Sequence, residues 1–246
     1  MLSRFRSLFS PPKKRDTGEA EQRLKNEGFD LLFKEDNTSA IKPDYADLLT
    51  LVDIVRDVRP NFVLEYGTGW STYILATTMA RMNPQSRLSV VELDPKWIEV
   101  SRSRIPDDAM RIVRFEDVKP QLTIVNAPAD IATNRWYGGK PGKKPERVGI
   151  ATITFPALHS QSPDLIFLDG PAPDQVPGYQ GIRADSSFSE ISTIVSDPIF
   201  MKGNFTICVD GRHAQCAFLK NNLEPDYSVE IREKQKFSIF RPSVSS

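Results

Sequence analysis

The chain has 246 residues and a mass of 27.7 kDa, which is enough for one α/β domain with a sizeable core. Its 32 Lys and Arg residues balance 32 Asp and Glu residues, so a formal net charge of +0 argues against nucleic acid or another polyanion as a partner. No apolar run approaches the ~18 residues that a membrane span needs. Cys208 and Cys216 lie in no metal-binding pattern, so we expect a soluble, cytoplasmic protein with reduced thiols.

The first sixteen residues, MLSRFRSLFSPPKKRD, interleave five basic residues with four large apolar ones. Pro11 and Pro12 would end any helix early, so we expect a solvated tail. Basic charge beside apolar side chains leaves open a weak contact with an anionic membrane surface. The tail and its lead-in are predicted to extend to Lys42, and residues 43–246 to form a single domain.

Helical and strand periods alternate from Pro43 onward, which predicts an α/β fold with a doubly wound, mainly parallel sheet. The first helix is predicted over PDYADLLTLVDIVRDVRP. The predicted strands that follow are NFVLEY, RLSVVEL, MRIVRFE, DLIFLDG and FTICVDG, and the predicted helices are Ser71–Met82, Pro95–Arg104, Ser187–Val195 and Arg212–Leu223. A final pair, YSVEIRE and KFSIFRP, completes a seven-stranded Rossmann-like sheet with an antiparallel C-terminal strand.

Residues 118–162 interrupt this alternation. Within them, QLTIVNA and VGIATITF have the pattern of two antiparallel strands around a loop rich in Gly, Pro and Lys. We therefore predict a β-hairpin inserted into the domain.

The segment EYGTGWS places Glu65 at the end of the first strand of the predicted sheet and Gly67 and Gly69 directly after it. In an open α/β sheet, such a turn lets an adenosine-bearing cofactor lie against bare backbone at the carboxyl ends of the strands. A dinucleotide site usually has a third glycine three residues later, but that position is Thr72. Glu65 would repel a pyrophosphate, whereas it could pair with the ammonium group of an amino-acid moiety.

Three segments, EYGTG, VVELDP and PDLIFLDGP, resemble the motifs of class I S-adenosylmethionine-dependent methyltransferases. The resemblance implies that S-adenosylmethionine is the cofactor, that Glu92 binds its ribose hydroxyls and that Asp169 borders the reaction centre. A carboxylate at a strand end is also a good acceptor for two hydroxyl donors. We expect the cofactor site to contain Glu65, Gly67, Thr68, Gly69, Ser71, Glu92 and Asp169.

PDLIFLDGP and VDGRHAQCAFLKNNL are also similar to a group of bacterial methyltransferase-like proteins that are linked to the modification of surface sugars. The similarity covers residues Phe62 to Phe240. It implies O-methylation of a saccharide or another small hydroxylated acceptor.

Methyl transfer to a hydroxyl requires an oriented acceptor and a group that takes up its proton. Asp169, Asp210 and His213 follow predicted strands at the edge where substrates approach, so they are the candidate catalytic residues. His159, in a predicted turn, has a weaker claim. Asp169 and Asp210 correspond to strand ends where catechol-type O-methyltransferases hold magnesium, but Gly211 replaces the asparagine of that pattern. A magnesium site formed by Asp169 and Asp210 is thus an alternative that we do not expect.

Two loops are placed to select the acceptor. NRWYGGKPGKKPER combines Trp136 and Tyr137 with several cations, which suits sugar rings and anionic groups. GPAPDQVPGYQGIRAD follows the strand DLIFLDG and carries Tyr179 and Arg183. We expect these four side chains to contact the substrate, and a solvated hairpin tip is the alternative for the first loop.

Two other functions stay open. An NAD(P)-dependent oxidoreductase could use the same sheet, although Thr72 at the third glycine position and the lack of a Tyr-x-x-x-Lys set count against it. A non-catalytic binding or assembly protein could keep the fold without the chemistry. The sequence predicts no particular oligomeric state.

Overall fold

A seven-stranded sheet forms the centre of the computed structural model, which describes residues 17–34, 42–128, 147–171, 175–178, 193–195, 204–212, 215–216, 219–220, 223, 226–232 and 237–243. For residues 124–128, 147–151 and 193–195 only the backbone is described. The helices and strands in chain order are α1 Thr17–Asn26, α2 Tyr45–Val58, β1 Phe62–Tyr66, α3 Trp70–Met82, β2 Arg87–Val91, α4 Pro95–Arg102, α5 Asp107–Met110, β3 Val113–Phe115, β4 Gln121–Pro128, β5 Arg147–Thr154, β6 Leu165–Leu168, β7 Thr193–Val195, β8 Thr206–Asp210, β9 Tyr227–Arg232 and β10 Phe237–Pro242.

The strand order of the large sheet is β3-β2-β1-β6-β8-β10-β9. The strands from β3 to β8 pair in parallel, and β10 runs antiparallel to both β8 and β9. The predicted mainly parallel sheet with an antiparallel C-terminal strand is therefore confirmed. The strand order reverses between β1 and β6, and ligands of open α/β sheets bind at the carboxyl ends of strands at such a point.

Successive side chains of β1 enter two separate cores, because a strand alternates the faces to which its side chains point. On one face, Val63 belongs to a core that contains Leu51 of α2 and Ile74 of α3. On the other face, Leu64 belongs to a core that contains Phe155. This burial on both faces explains the continuous apolar run in the sequence and holds the carboxyl end of β1 in place.

The predicted hairpin is confirmed, since β4 and β5 pair antiparallel from Gln121 opposite Thr154 to Pro128 opposite Arg147. β7 adds a third strand, parallel to β5. The predicted helix Ser187–Val195 is thus wrong for its last three residues. Their sequence, Thr-Ile-Val, is β-branched throughout and pairs with an open strand edge, which helical periodicity does not reveal.

The lead-in before Lys42 contains α1 and a 3₁₀ turn, Asp30–Phe33, where the sequence predicts no element. Ala20 and Leu24 of α1 have no exposed surface and belong to the core that includes α2. Two apolar residues one turn apart are too weak a periodic signal to predict a helix, because tertiary packing supplies most of its stability. The basic tail, residues 1–16, lies outside the described residues. No helix in the described part of the chain is long and apolar enough to cross a membrane.

The turns that follow β1 and β6 touch each other through their backbones. The carbonyl oxygen of Tyr66 accepts hydrogen bonds from the N–H groups of Asp169, at 2.9 Å, and Gly170, at 2.6 Å. Gly67 has a φ of +92°, and a Cβ on it would lie 2.6 Å from the Gly170 nitrogen. A Cβ on Gly170 would lie 2.3 Å from the Gly67 Cα. Both positions therefore require glycine.

Replacing Gly170 by alanine tests this contact. We expect Gly170→Ala to lower the free energy of unfolding by about 1–3 kcal/mol, since the added methyl group would overlap backbone that cannot move aside. Urea unfolding measures the change. Gly69→Ala is the matched control, because a Cβ at Gly69 would meet no heavy atom within 4 Å. Equal losses in the two variants would show that the contact is not tight.

Candidate functional site

A cavity of about 300 Å³ opens at the carboxyl ends of the central strands. The glycine turn after β1, the first turn of α2 and the segment after β6 form its wall. The predicted site residues that line it are Gly67, Thr68, Gly69, Ser71, Glu92, Asp169 and Asp210. The fold thus brings together residues that are up to 143 positions apart, from Gly67 to Asp210.

Glu65 lies beneath the glycine turn and has no exposed surface. Its Oε1 accepts a hydrogen bond of 2.6 Å from the Ser71 hydroxyl, which lines the cavity. Its Oε2 has no hydrogen-bond partner in the described part of the chain. Burial raises the pKa of Glu65 to about 8; hydrogen bonds from Ser71 and Thr72 oppose that rise, and the negative charges of Asp169 and Glu92 add to it. A ligand that brings a cation here would satisfy a buried oxygen and favour the ionised carboxylate.

Glu92 stands at the end of β2 with a fixed orientation. Its Oε1 accepts hydrogen bonds from the N–H groups of Leu93, at 2.7 Å, and Asp94, at 2.9 Å. Gln175 Nε2 lies 3.4 Å from the same oxygen. Burial raises the pKa of Glu92, and the backbone hydrogen bonds oppose that rise. The carboxylate is thus held against the cavity as a hydrogen-bond acceptor.

Thr72 closes the glycine turn with its side chain. Its Oγ1 accepts a hydrogen bond of 3.1 Å from the Gly69 N–H and lies 2.8 Å from the Thr68 Oγ1. Thr68 Oγ1 in turn donates to Ser101 Oγ at 2.8 Å. The Gly69 N–H, which a dinucleotide site would direct at a phosphate, is therefore occupied within the protein. The other side of Gly69 is open, so a ligand can approach the bare backbone there.

Asp169 follows β6 and exposes its side chain to the cavity that it lines, while protein surrounds its other sides. Burial raises its pKa to about 7; the negative charge of Asp210 raises it further, and Arg212 lowers it. Arg212 donates a hydrogen bond to the Asp169 carbonyl oxygen. A carboxyl group with a pKa near neutrality can accept a proton from a bound ligand and release it again.

Sequence reasoning missed several side chains of the cavity wall. They are Asp47, Trp97, Arg104, Gln175 and Arg212. The sequence did contain a signal for Asp47, because Asp47 shares a helical stripe with Leu51 and Ile54 of α2. An acidic residue within an apolar stripe is a candidate for a functional site. The guanidinium of Arg104 lies 4.1 Å from the centre of a Trp70 ring. That contact joins distant segments, so no local pattern predicts it.

Five of the predicted site residues lie outside the described residues, so their roles stay predictions. They are His213, Trp136, Tyr137, Tyr179 and Arg183. His159 is exposed after a 3₁₀ turn, Pro156–Leu158, and is not part of the cavity wall.

A metal site was the alternative for Asp169 and Asp210. Among the residues that the structure describes, no group of three or more His, Cys, Asp and Glu side chains is arranged to hold a metal ion. Magnesium dependence stays the alternative that we do not expect.

The buried Glu65 should make stability depend on pH. The folded protein retains the Glu65 proton up to about pH 8, whereas the unfolded carboxyl releases it near its ordinary pKa of 4.5, so the free energy of unfolding falls as the pH rises through this range. One proton contributes at most about 1.4 kcal/mol per pH unit to this fall. We expect Glu65→Gln, measured by urea unfolding without ligand, to lose this contribution. A pH dependence identical to that of the wild type would contradict a protonated, buried Glu65.

Comparison with solved structures finds the same architecture at low sequence identity. A candidate caffeoyl-CoA O-methyltransferase from Staphylococcus aureus matches with a TM-score of 0.52 and 12% identity, over 92% of this chain and 99% of that one. Cofactor-bound Rv0187 from MTB matches with a TM-score of 0.44 and 16% identity, over 94% of this chain and 99% of that one. The O-methyltransferase TomG from Streptomyces achromogenes, in complex with SAM, matches with a TM-score of 0.42 and 17% identity, over 94% and 91%.

No protein-family model matches the sequence, and a comparison with curated proteins finds no match. The Staphylococcus aureus structure and the strand order nevertheless agree with the fold that the sequence motifs imply. The chain has the Rossmann-like fold of the class I S-adenosylmethionine-dependent methyltransferases.

Proposed function

We propose that this chain is an S-adenosylmethionine-dependent methyltransferase that methylates a hydroxyl group of a small acceptor such as a saccharide. One observation carries the proposal: Glu65, Glu92 and Asp169, from the ends of three neighbouring strands, surround one glycine turn beside one cavity. The Staphylococcus aureus protein is named as a candidate O-methyltransferase, which supports a hydroxyl as the acceptor group.

The residues present fit the cofactor at two points. Glu65 has a buried oxygen without a partner in the described residues, and an amino-acid ammonium group would supply one. Backbone N–H groups fix the orientation of the Glu92 carboxylate, which can accept hydrogen bonds from the two hydroxyl groups of a ribose. Between them, the open face of Gly69 leaves room for the cofactor to lie against the backbone. Thr68 and Ser71 complete the same wall.

The chain's part in the reaction is to orient the acceptor and to take up its proton. When bound, S-adenosylmethionine supplies a methyl group on a sulfonium whose sulfur departs with the bonding electrons, so no redox partner is needed. Asp169 faces the cavity and accepts the hydroxyl proton as the acceptor oxygen forms its new bond to carbon. Burial and the charge of Asp210 raise the pKa of Asp169 to about 7, and Arg212 opposes that rise.

The contacts of the glycine turn favour this function over an NAD(P)-dependent oxidoreductase. A dinucleotide needs backbone N–H groups that donate hydrogen bonds to its pyrophosphate, but the N–H of Gly69 already donates to Thr72 Oγ1. Glu65 beneath the turn would place a carboxyl group next to the pyrophosphate.

Cofactor choice can be tested before any acceptor is known. We expect purified protein to bind S-adenosylhomocysteine in calorimetry at micromolar concentrations, and NADH at least about 100-fold more weakly. Selective binding of NADH would replace the proposal with the oxidoreductase. Binding of neither compound would favour a non-catalytic protein.

Replacing Glu92 by glutamine tests its predicted role on the ribose. The amide keeps an oxygen for the N–H groups of Leu93 and Asp94 but loses the charge, so we expect affinity for S-adenosylhomocysteine to fall by about 1–3 kcal/mol. Glu99→Gln, on the exposed face of α4, is the matched control and should bind like the wild type. If folded Glu92→Gln also binds like the wild type, Glu92 does not contact the cofactor.

A further inference from the structure

Asp47 is an acidic residue whose neighbours on its helix are mostly apolar. It lies in the first turn of α2, is 8% exposed, and forms part of the cavity wall beside Leu48 and Leu51. Its Oδ1 is buried without a hydrogen-bond partner in the part of the chain that the structure describes. The two oxygens of a carboxylate exchange by rotation about χ2, so either can face the cavity. A buried polar group of this kind costs stability unless a ligand completes its hydrogen bonds.

Other carboxyls surround Asp47. Asp44 caps α2, with its Oδ1 2.9 Å from the Ala46 nitrogen and 3.3 Å from the Asp47 nitrogen. Asp210 contributes a second negative charge from the end of β8, in the same cavity. Burial, followed by Asp44 and Asp210, raises the pKa of Asp47 to about 8.

Arg232, which lowers the pKa of Asp47, does not neutralise it. Arg232 lowers the pKa of Asp47 only in part, because its Nη1 donates to Thr50 Oγ1 at 3.0 Å and its Nε donates to Glu230 at 2.8 Å. No ion pair among the described residues includes Asp47.

The cations of the cavity wall have other contacts or lie in solvent. Arg212 donates to the carbonyl oxygen of Asp169, and Arg104 stacks over Trp70. Lys42 is exposed. Five carboxyls and three cations line the cavity, so a cationic ligand would balance the negative charge that Asp47 carries when it is ionised.

We propose that Asp47 recognises the acceptor and that the acceptor carries a protonated amino group in addition to the hydroxyl that is methylated. An ammonium group donates up to three hydrogen bonds and offsets the repulsion between Asp47 and Asp210, whereas a neutral hydroxyl donates one and leaves the repulsion in place. On binding, Asp47 releases its proton to solvent and holds the ammonium as a carboxylate. Asp47 is then a specificity residue, separate from Glu65, which is assigned to the cofactor's own ammonium group.

This inference rests on the proposed function, and a binding experiment separates the two. The probes are benzylamine, which is protonated at neutral pH, and benzyl alcohol, which has the same ring with a neutral hydroxyl. Both are titrated by NMR into the full chain saturated with S-adenosylhomocysteine. The variants are Asp47→Asn and, as the matched control, Asp57→Asn, which changes an exposed acid on the same helix.

We expect the wild type and Asp57→Asn to bind benzylamine at least about tenfold more tightly than benzyl alcohol, and Asp47→Asn to lose that preference. Equal binding of the two probes by the wild type, a lack of binding by both, or a preference that persists in Asp47→Asn would overturn the inference. Loss of S-adenosylhomocysteine binding in folded Asp47→Asn would also overturn it, because Asp47 would then belong to the cofactor site. Failure of the wild type to bind S-adenosylhomocysteine would instead refute the proposed function.

Discussion

The contact between the turns after β1 and β6 determines the geometry on which the site depends. Gly67 and Gly170 approach so closely that neither position has room for a Cβ, and the Tyr66 carbonyl binds the N–H groups on the other side. This contact fixes the spacing between the ends of the two strands. Glu65 and Asp169 therefore keep a defined separation, although they come from segments a hundred residues apart in the chain.

The site concentrates carboxyl groups in surroundings that disfavour their charge. Asp47, Glu65 and Asp169 all have a pKa raised first by burial, and each also lies within reach of another acid. Such groups reduce the stability of the empty protein, and they are common where a ligand later supplies the missing partner. The same arrangement favours cationic ligands, because each positive charge that enters offsets both the burial and the mutual repulsion.

The fold and the site could be predicted from the sequence where local hydrophobic patterns mark the strands and helices. Strand ends at Glu65, Glu92 and Asp169 were predictable, because apolar runs mark the strands and parallel topology brings their carboxyl ends together. The helix α1 and the strand β7 were not predicted. Each depends on contacts between segments distant in the chain, such as α1 against α2 or β7 against β5, and these leave only a weak trace in local periodicity.

The packing of α1 on α2 connects the N-terminal segment with the cavity wall. Arg23 of α1 binds Asp53 of α2 at 2.6 Å, and Arg56 of α2 reaches Glu27 at 3.0 Å. α2 in turn carries Asp47 into the cavity. α1 thus supports α2 and helps to position one side of the cavity. Removal of residues 1–16 keeps α1, whereas removal of residues 1–41 takes away the support behind the helix that carries Asp47 into the cavity.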